Sequence, residues 1–182
     1  IYTLSLHDAL PIWDLTTKDP SVTSIGLTGH SGDIAALALV GGGSHVVSAA
    51  SDNSLGVWDL EKATRVIDRV ELTGHTGPVG TVAVSRDGLR IVSGSDDGTV
   101  RVWDAFGRSP GRGGRVLRVG AQAVQDLDVV DTGRLVAVAQ GRVALWNLGD
   151  RGRWPSATSL PGAKGLINAT AFDPSGRFVA SA

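Results

Sequence analysis

The feature that most constrains this chain is a dipeptide that keeps returning. Trp-Asp stands at Trp13-Asp14, Trp58-Asp59 and Trp103-Asp104, and Trp-Asn at Trp146-Asn147, so the tryptophans are 45, 45 and 43 residues apart. A second marker, Gly-His, stands at Gly29-His30 and Gly74-His75, again 45 residues apart. The two phases interlock, since His30 precedes Trp58 by 28 residues and His75 precedes Trp103 by 28. LTGHSGDIAALALVGGGSHVVSAASDNSLGVWD (27–59) and LTGHTGPVGTVAVSRDGLRIVSGSDDGTVRVWD (72–104) align without a gap. A third copy, 117–147, pairs Val124, Leu127 and Val129 with Val79, Val82 and Val84, then loses two residues before Trp146; residues 159–182 match 71–94 without a gap. A fixed period of this length means a small unit that buries its apolar faces by stacking on copies of itself.

The local pattern says what the unit is made of. Arg90–Ser95, Thr99–Trp103 and Arg115–Val119 are short, rich in Val and separated by Gly, Asp, Asn and Ser clusters, the pattern of many strands joined by tight turns. Ala36–Val40 and Ile91–Ser95 do not alternate apolar with polar residues, which predicts sheets buried on both faces, with small residues letting neighbouring sheets approach. No long amphipathic helical pattern competes. At 42% hydrophobic and 19% charged residues the chain can build a sizeable core. Its 17 basic and 18 acidic residues give a net charge of -1, no general attraction for nucleic acid or an anionic membrane. With no Cys there is no disulfide, thiolate nucleophile or Cys-ligated zinc. No apolar run approaches the roughly 18 residues needed to span a bilayer.

These residues resemble the WD40 repeat family: a period of 43–45 residues, Gly-His near the start, an Asp-Gly turn, and Ser95-Asp96-Asp97-Gly98-Thr99-Val100-Arg101-Val102-Trp103-Asp104 at the end. The resemblance covers 13–182 and implies an all-β fold, a partial WD40 β-propeller of about three complete four-stranded blades plus two partial ones. The repeat units are expected at 13–26 (partial), 27–71, 72–116, 117–158 and 159–182 (partial). Three whole units fall short of the four to eight blades of a closed propeller, so the chain reads as cut at both ends, with open blade edges through which it is expected to self-associate. The chain has no Met at its start or elsewhere. Residues 1–12, IYTLSLHDALPI, lack the basic start of a signal peptide; they resemble the in-frame translation of a short-read sequencing adapter and are expected to be a library artefact, although Tyr2–Leu6 alternates as a strand would.

One constellation invites a catalytic reading. Asp97, His75 and Ser93 or Ser95, matched by Asp52, His30 and Ser48, are the parts of a hydrolase triad. In the family this Asp, His and Ser or Thr, with the Trp (Trp58 and Trp103), form a buried hydrogen-bonded tetrad that ties the turn between the second and third strands to the loop entering the blade. Recurrence in successive units favours structure over catalysis. The third unit carries Gly120 and Gln140 where His and Asp belong, and the fourth carries Ala163 for His, so those blades are expected to be the less stable. His30, His45 and His75 are too scattered for a local metal motif, Asp96-Asp97-Gly98 lacks the remaining spacing of a calcium loop, and no phosphate-binding loop occurs.

The resemblance implies a rigid, non-catalytic platform that needs no cofactor and binds peptides or proteins on the face formed by the entering loops and the second-to-third-strand turns. The candidates there are Asp33, Pro78, Ser51 and Asp96. A separate basic stretch, FGRSPGRGGRVLR (106–118), offers Arg108, Arg112 and Arg115 to an acidic partner if it is more than a solvated loop; Arg151 and Arg153 fall in the next such loop. The alternative is the sensor propeller of a larger bacterial signalling enzyme, a kinase, protease or nucleotide-driven switch. Arg exceeds Lys 14 to 3 and Ala, Gly and Val abound, as in a GC-rich bacterial genome, and a cytoplasmic location is expected.

Overall fold

The computed structural model describes residues 9–13, 18–19, 24–60, 69–104, 114–130, 134–139, 141–148, 157–161 and 167–182. Its strands follow one another as antiparallel meanders. A two-stranded sheet, β1 (Ala9–Trp13) and β2 (Ser24–Thr28), comes first. Three four-stranded sheets follow. The first holds β3 (Ile34–Val40), β4 (His45–Ala50), β5 (Leu55–Asp59) and β6 (Arg69–Leu72). The second holds β7 (Val79–Val84), β8 (Arg90–Ser95), β9 (Thr99–Asp104) and β10 (Arg115–Arg118). The third holds β11 (Asp126–Val129), β12 (Arg134–Ala139), β13 (Arg142–Asn147) and β14 (Thr158–Leu160). A last pair, β15 (Thr170–Phe172) and β16 (Val179–Ser181), closes the order. Among the described residues the sole helical element is a 3-10 turn, Gly41–Gly43. Among the described residues the fold is therefore all-β, with three four-stranded sheets and two two-stranded ones.

The repeat in sequence is a repeat in backbone. The β4–β5 and β8–β9 turns each need a residue in the left-handed region, supplied by Asn53 (φ 69°) and, 45 positions on, Gly98 (φ 75°); Asn and Gly are the residues that reach it at least cost. Register shifts between Ile34 and Ala36 in β3, and between Val79 and Thr81 in β7, fall at equivalent places near the start of each first strand. Such bulges re-aim the strand where a loop enters it.

The core lies between the sheets. Val47, Ala49, Leu55 and Val57 of the first full sheet meet Val79, Ile91 and Trp103 of the second. Val92, Val100 and Val102 then meet Leu127, Leu135 and Trp146 of the third, and Val143 meets Phe172 and Val179 of the last pair. First strands stand side by side, β3 by β7, β7 by β11 and β11 by β15. Each Trp thus plugs its sheet onto the preceding one, and Trp58 does so on Leu27, Leu10 and Ile12.

One expectation changes. Ile91–Ser95 is buried throughout, but Ala36–Val40 is not: burial alternates along β3, with Leu37 49% and Leu39 66% exposed. The reason is the neighbour rather than the strand. The equivalent Val82 and Val84 pack against the preceding full sheet, whereas the sheet preceding β3 has, among the described residues, two strands, which reach Val46 and Trp58. The N-terminal strand begins at Ala9 and so includes Ala9–Ile12 of the stretch expected to be foreign; Tyr2–Leu6 lies outside the described residues.

Candidate functional site

In the second full sheet a buried chain of hydrogen bonds runs from β9 to the loop entering β7. The Trp103 indole N–H donates to Ser93 Oγ at 2.9 Å, Ser93 Oγ meets His75 Nε2 at 2.8 Å, and His75 Nδ1 meets Asp97 Oδ2 at 2.9 Å. The only order that leaves each atom one role has the indole donating to the serine, the serine to Nε2 and Nδ1–H to the carboxylate. The carboxylate is saturated: Thr76 N donates to Oδ2 at 2.9 Å, while Thr99 N and Thr99 Oγ1 donate to Oδ1 at 2.9 and 2.6 Å. The first full sheet repeats the pattern. Trp58 donates to Ser48 at 2.8 Å, Ser48 meets His30 at 2.7 Å, His30 meets Asp52 at 3.0 Å, and Ser31 N, Ser54 N and Ser54 Oγ complete the carboxylate. Ser95 stands apart from this chain, a correction to its grouping with Ser93: its hydroxyl donates to Gly77 O at 2.9 Å and accepts from Asp97 N at 3.1 Å.

Burial and charge tune these groups in opposite directions. Burial lowers the pKa of both histidines, and the nearby Arg69 and Arg101 push the same way, against the raising effect of Asp52 and Asp97. Both imidazoles are therefore neutral near pH 7. Burial would raise the Asp52 carboxyl, but hydrogen bonds from Ser54, Ser31 N and His30 outweigh it and hold the group at about 2; Asp97 is lowered for the same reasons.

The residues that motif reading missed sit around this chain. Ser54 and Thr99 stand two positions after the Asp in both units, so the gapless alignment carried their signal. The arginines gave a weaker one. Arg69, on β6, lies over Trp58 at 5.6 Å from the ring centroid and donates to Ser54 Oγ at 2.8 Å and to Gly29 O. Arg101, on β9, lies over Trp103 at 5.9 Å. They are not equivalent positions. Where the first unit has Gly56 and Arg69, the second has Arg101 and Gly114. A β-carbon on Gly56 would come within 2.8 Å of the Trp58 ring, and one on Gly114 within 2.7 Å of the Trp103 ring. One guanidinium site per sheet is thus filled from either of two strands, and the other strand yields room with Gly.

Residues 20–59 and 68–104 match the family model described as WD domain, G-beta repeat. Those two stretches are WD40 repeats. No curated protein matches the chain's sequence. WD40 domains are in general non-catalytic scaffolds that bind protein partners.

In both WD40 sheets a backbone bond ties the entering loop to the turn next to the network's Asp. Ser51 N donates to Asp33 O at 2.9 Å and Asp96 N to Pro78 O at 3.0 Å, so each entering loop is joined to a turn, and all four residues are exposed. Arg115 is exposed on β10, on a different strand end; Arg108, Arg112, Arg151 and Arg153 lie outside the described residues, as do Gln140 and Ala163. Gly120, at the His position of the third unit, is exposed. That unit carries a different fastening: Asp126 accepts from Thr170 N at 2.5 Å and Thr170 Oγ1 at 3.1 Å, and Asp128 accepts from Phe172 N at 2.7 Å. The equivalent positions in the second unit are Thr81 and Ala83, so this strand-to-strand clasp is peculiar to β11. Among the described residues no group of three His, Cys, Asp or Glu is placed to hold a metal ion.

Proposed function

We propose that this chain is a non-catalytic interaction module whose peptide or protein partner docks on the rim carrying Asp33, Ser51, Pro78 and Asp96. The observation that supports the reading is the pair of backbone bonds that joins loop to turn at the residues just before Asp52 and Asp97 of the buried networks. A preorganised, solvent-facing edge loses little entropy when a partner lands on it. Catalysis by the Ser-His-Asp sets is disfavoured by their geometry. Ser48 and Ser93 are fully buried, each serine already accepts an indole N–H, and no substrate carbonyl can approach. The acidic carboxylates Asp33 and Asp96 favour a partner with polar or basic side chains over an acidic one.

A displayed library of random peptides, selected on the whole chain, tests the reading. Enriched peptides are expected to lose about tenfold or more in affinity for Asp33→Ala/Asp96→Ala, as truncation of central contacts usually produces, and to bind Arg115→Ser unchanged. Peptides that bind the double variant as well as the parent overturn it.

A further inference from the structure

The guanidinium over the tryptophan is neutralised in one full sheet and bare in the next. In the first, Arg69 donates to Ser54 Oγ at 2.8 Å and to Gly29 O, and it pairs with Glu71 Oε1 at 3.4 Å. In the second, among the described residues, Arg101 donates once, to Gly114 O at 3.4 Å, and has no carboxylate beside it. Nε is buried without a partner in both arginines. The difference is written in the sequence, because Glu71 and Val116 are equivalent positions, 45 residues apart. A partly buried cation that exchanges water for one long hydrogen bond is left with most of its desolvation cost uncompensated.

The place where a carboxylate would stand opens to solvent. On β10, Val116 lies opposite Arg101 and Arg118 opposite Thr99, so all four share one face of the second sheet. Trp103, two positions from Arg101, belongs to that face and packs on the first full sheet. There Val70 lies opposite Val57, which is in the same core as Trp103. Yet Val70 is 40% and Val116 45% exposed, so the facing sides part at their outer strands. Arg118 is exposed, and on β9 and β10 this face holds no acidic residue. Arg115, opposite Val102, belongs to the other face. Glu71 shows the route in: its side chain is 54% exposed, so a carboxylate reaches this guanidinium site from the solvent side.

We propose that the outer margin between the first two full sheets is a docking site for an extended acidic segment of a partner protein, whose carboxylate pairs with Arg101 as Glu71 pairs with Arg69. A planar carboxylate matches the fork of the guanidinium, and Glu71 demonstrates the fit beside an indole and a Gly-His segment. Val70 and Val116 receive apolar side chains flanking the acid, and Arg118 adds attraction at the edge. The first sheet offers no second site, because its own Glu71 fills the place.

The probe is a capped pentapeptide with Glu at its centre and Val on either side, titrated into the nitrogen-15-labelled chain while the arginine Nε–Hε signals are followed by NMR. The Arg101 signal is expected to move saturably and the Arg69 signal to stay, with the Gln counterpart binding at least about tenfold more weakly, as for loss of a central charged contact. Two exchanges at exposed positions, each checked by thermal melt, move the difference between the sheets. Val116→Glu supplies the carboxylate from within the chain and should abolish the Arg101 response, whereas Glu71→Val should make Arg69 respond as well. An unmoved Arg101 signal, equal binding of the Gln peptide, or undiminished binding to Val116→Glu overturns the proposal. A stronger response to inorganic phosphate than to the Glu peptide overturns the assignment of a carboxylate.

Discussion

At the scale of single residues, the arginines over the tryptophans separate a role from a position. Arg69 and Arg101 reach the same place, above the indole and beside the Gly-His segment, from different strands, with Gly56 and Gly114 making the room. Arg69→Gly is expected to lower stability by about 1–2 kcal/mol, the loss of a partly desolvated cation over a ring, and Gly56→Arg alone to destabilise by pressing a side chain on Trp58. Together they should recover much of the loss, so that a double-mutant cycle in urea gives a coupling of about 1 kcal/mol or more; additive losses would show that the two sites are independent. The same networks fix a pH response. Below the ordinary histidine value of 6.5 the unfolded chain binds protons that His30 and His75 refuse, because burial lowers their pKa in the folded state. Stability is therefore flat above 6.5 and falls as the pH drops below it. Asp52 acts lower on the scale: its contribution is complete above the ordinary 3.8 and is lost as the pH falls toward about 2. Melts in a pH series should show a first decline in Tm below 6.5 and a second below 3.8; His75→Gln, which keeps a polar side chain but cannot titrate, should flatten the first.

At the scale of strands, what was legible in the sequence was what a strand decides by itself. Arg90–Ser95 is β8 to the residue, and Thr99–Trp103 and Arg115–Val119 differ from β9 and β10 by one position, because Val-rich runs and Gly-Asp turns act locally. Burial of the second face was not legible. Ala36–Val40 reads as Ile91–Ser95 does, yet Leu37 and Leu39 are open because their cover comes from another sheet. Ser93 and Ser95 lie on the same face of one strand, so alternation could not choose between them; the first unit could, since it has Ser48 and then Ala50. Asp126 and Asp128 read as ordinary strand acids and are instead clasps on the next first strand, taking the N–H groups of Thr170 and Phe172. Asp126→Ala/Asp128→Ala is expected to leave β7–β10 unchanged and to speed amide exchange at Thr170 and Phe172 by about tenfold to a hundredfold, the range for losing one or two charge-assisted bonds. Unchanged exchange there would show that packing of Phe172 and Val179 on Val143 holds the hairpin alone.

At the scale of the whole molecule, stability in a stacked array is a sum of unit terms and interfaces between neighbours. The second full sheet is favoured on both counts. It has a complete Trp-Ser-His-Asp chain with an arginine over the ring, and it packs on full sheets at either side. The third has Gly120 in place of the His and packs on a half-sheet at its far side. The last pair has two strands and an exposed alanine face. Amide exchange under native conditions should therefore be slowest in β7–β10, faster in β11–β14 and fastest in β15–β16. Equal protection across 72–104 and 126–147 would mean that the buried hydrogen-bonded chains set geometry without adding to stability, and that packing between the sheets fixes the gradient.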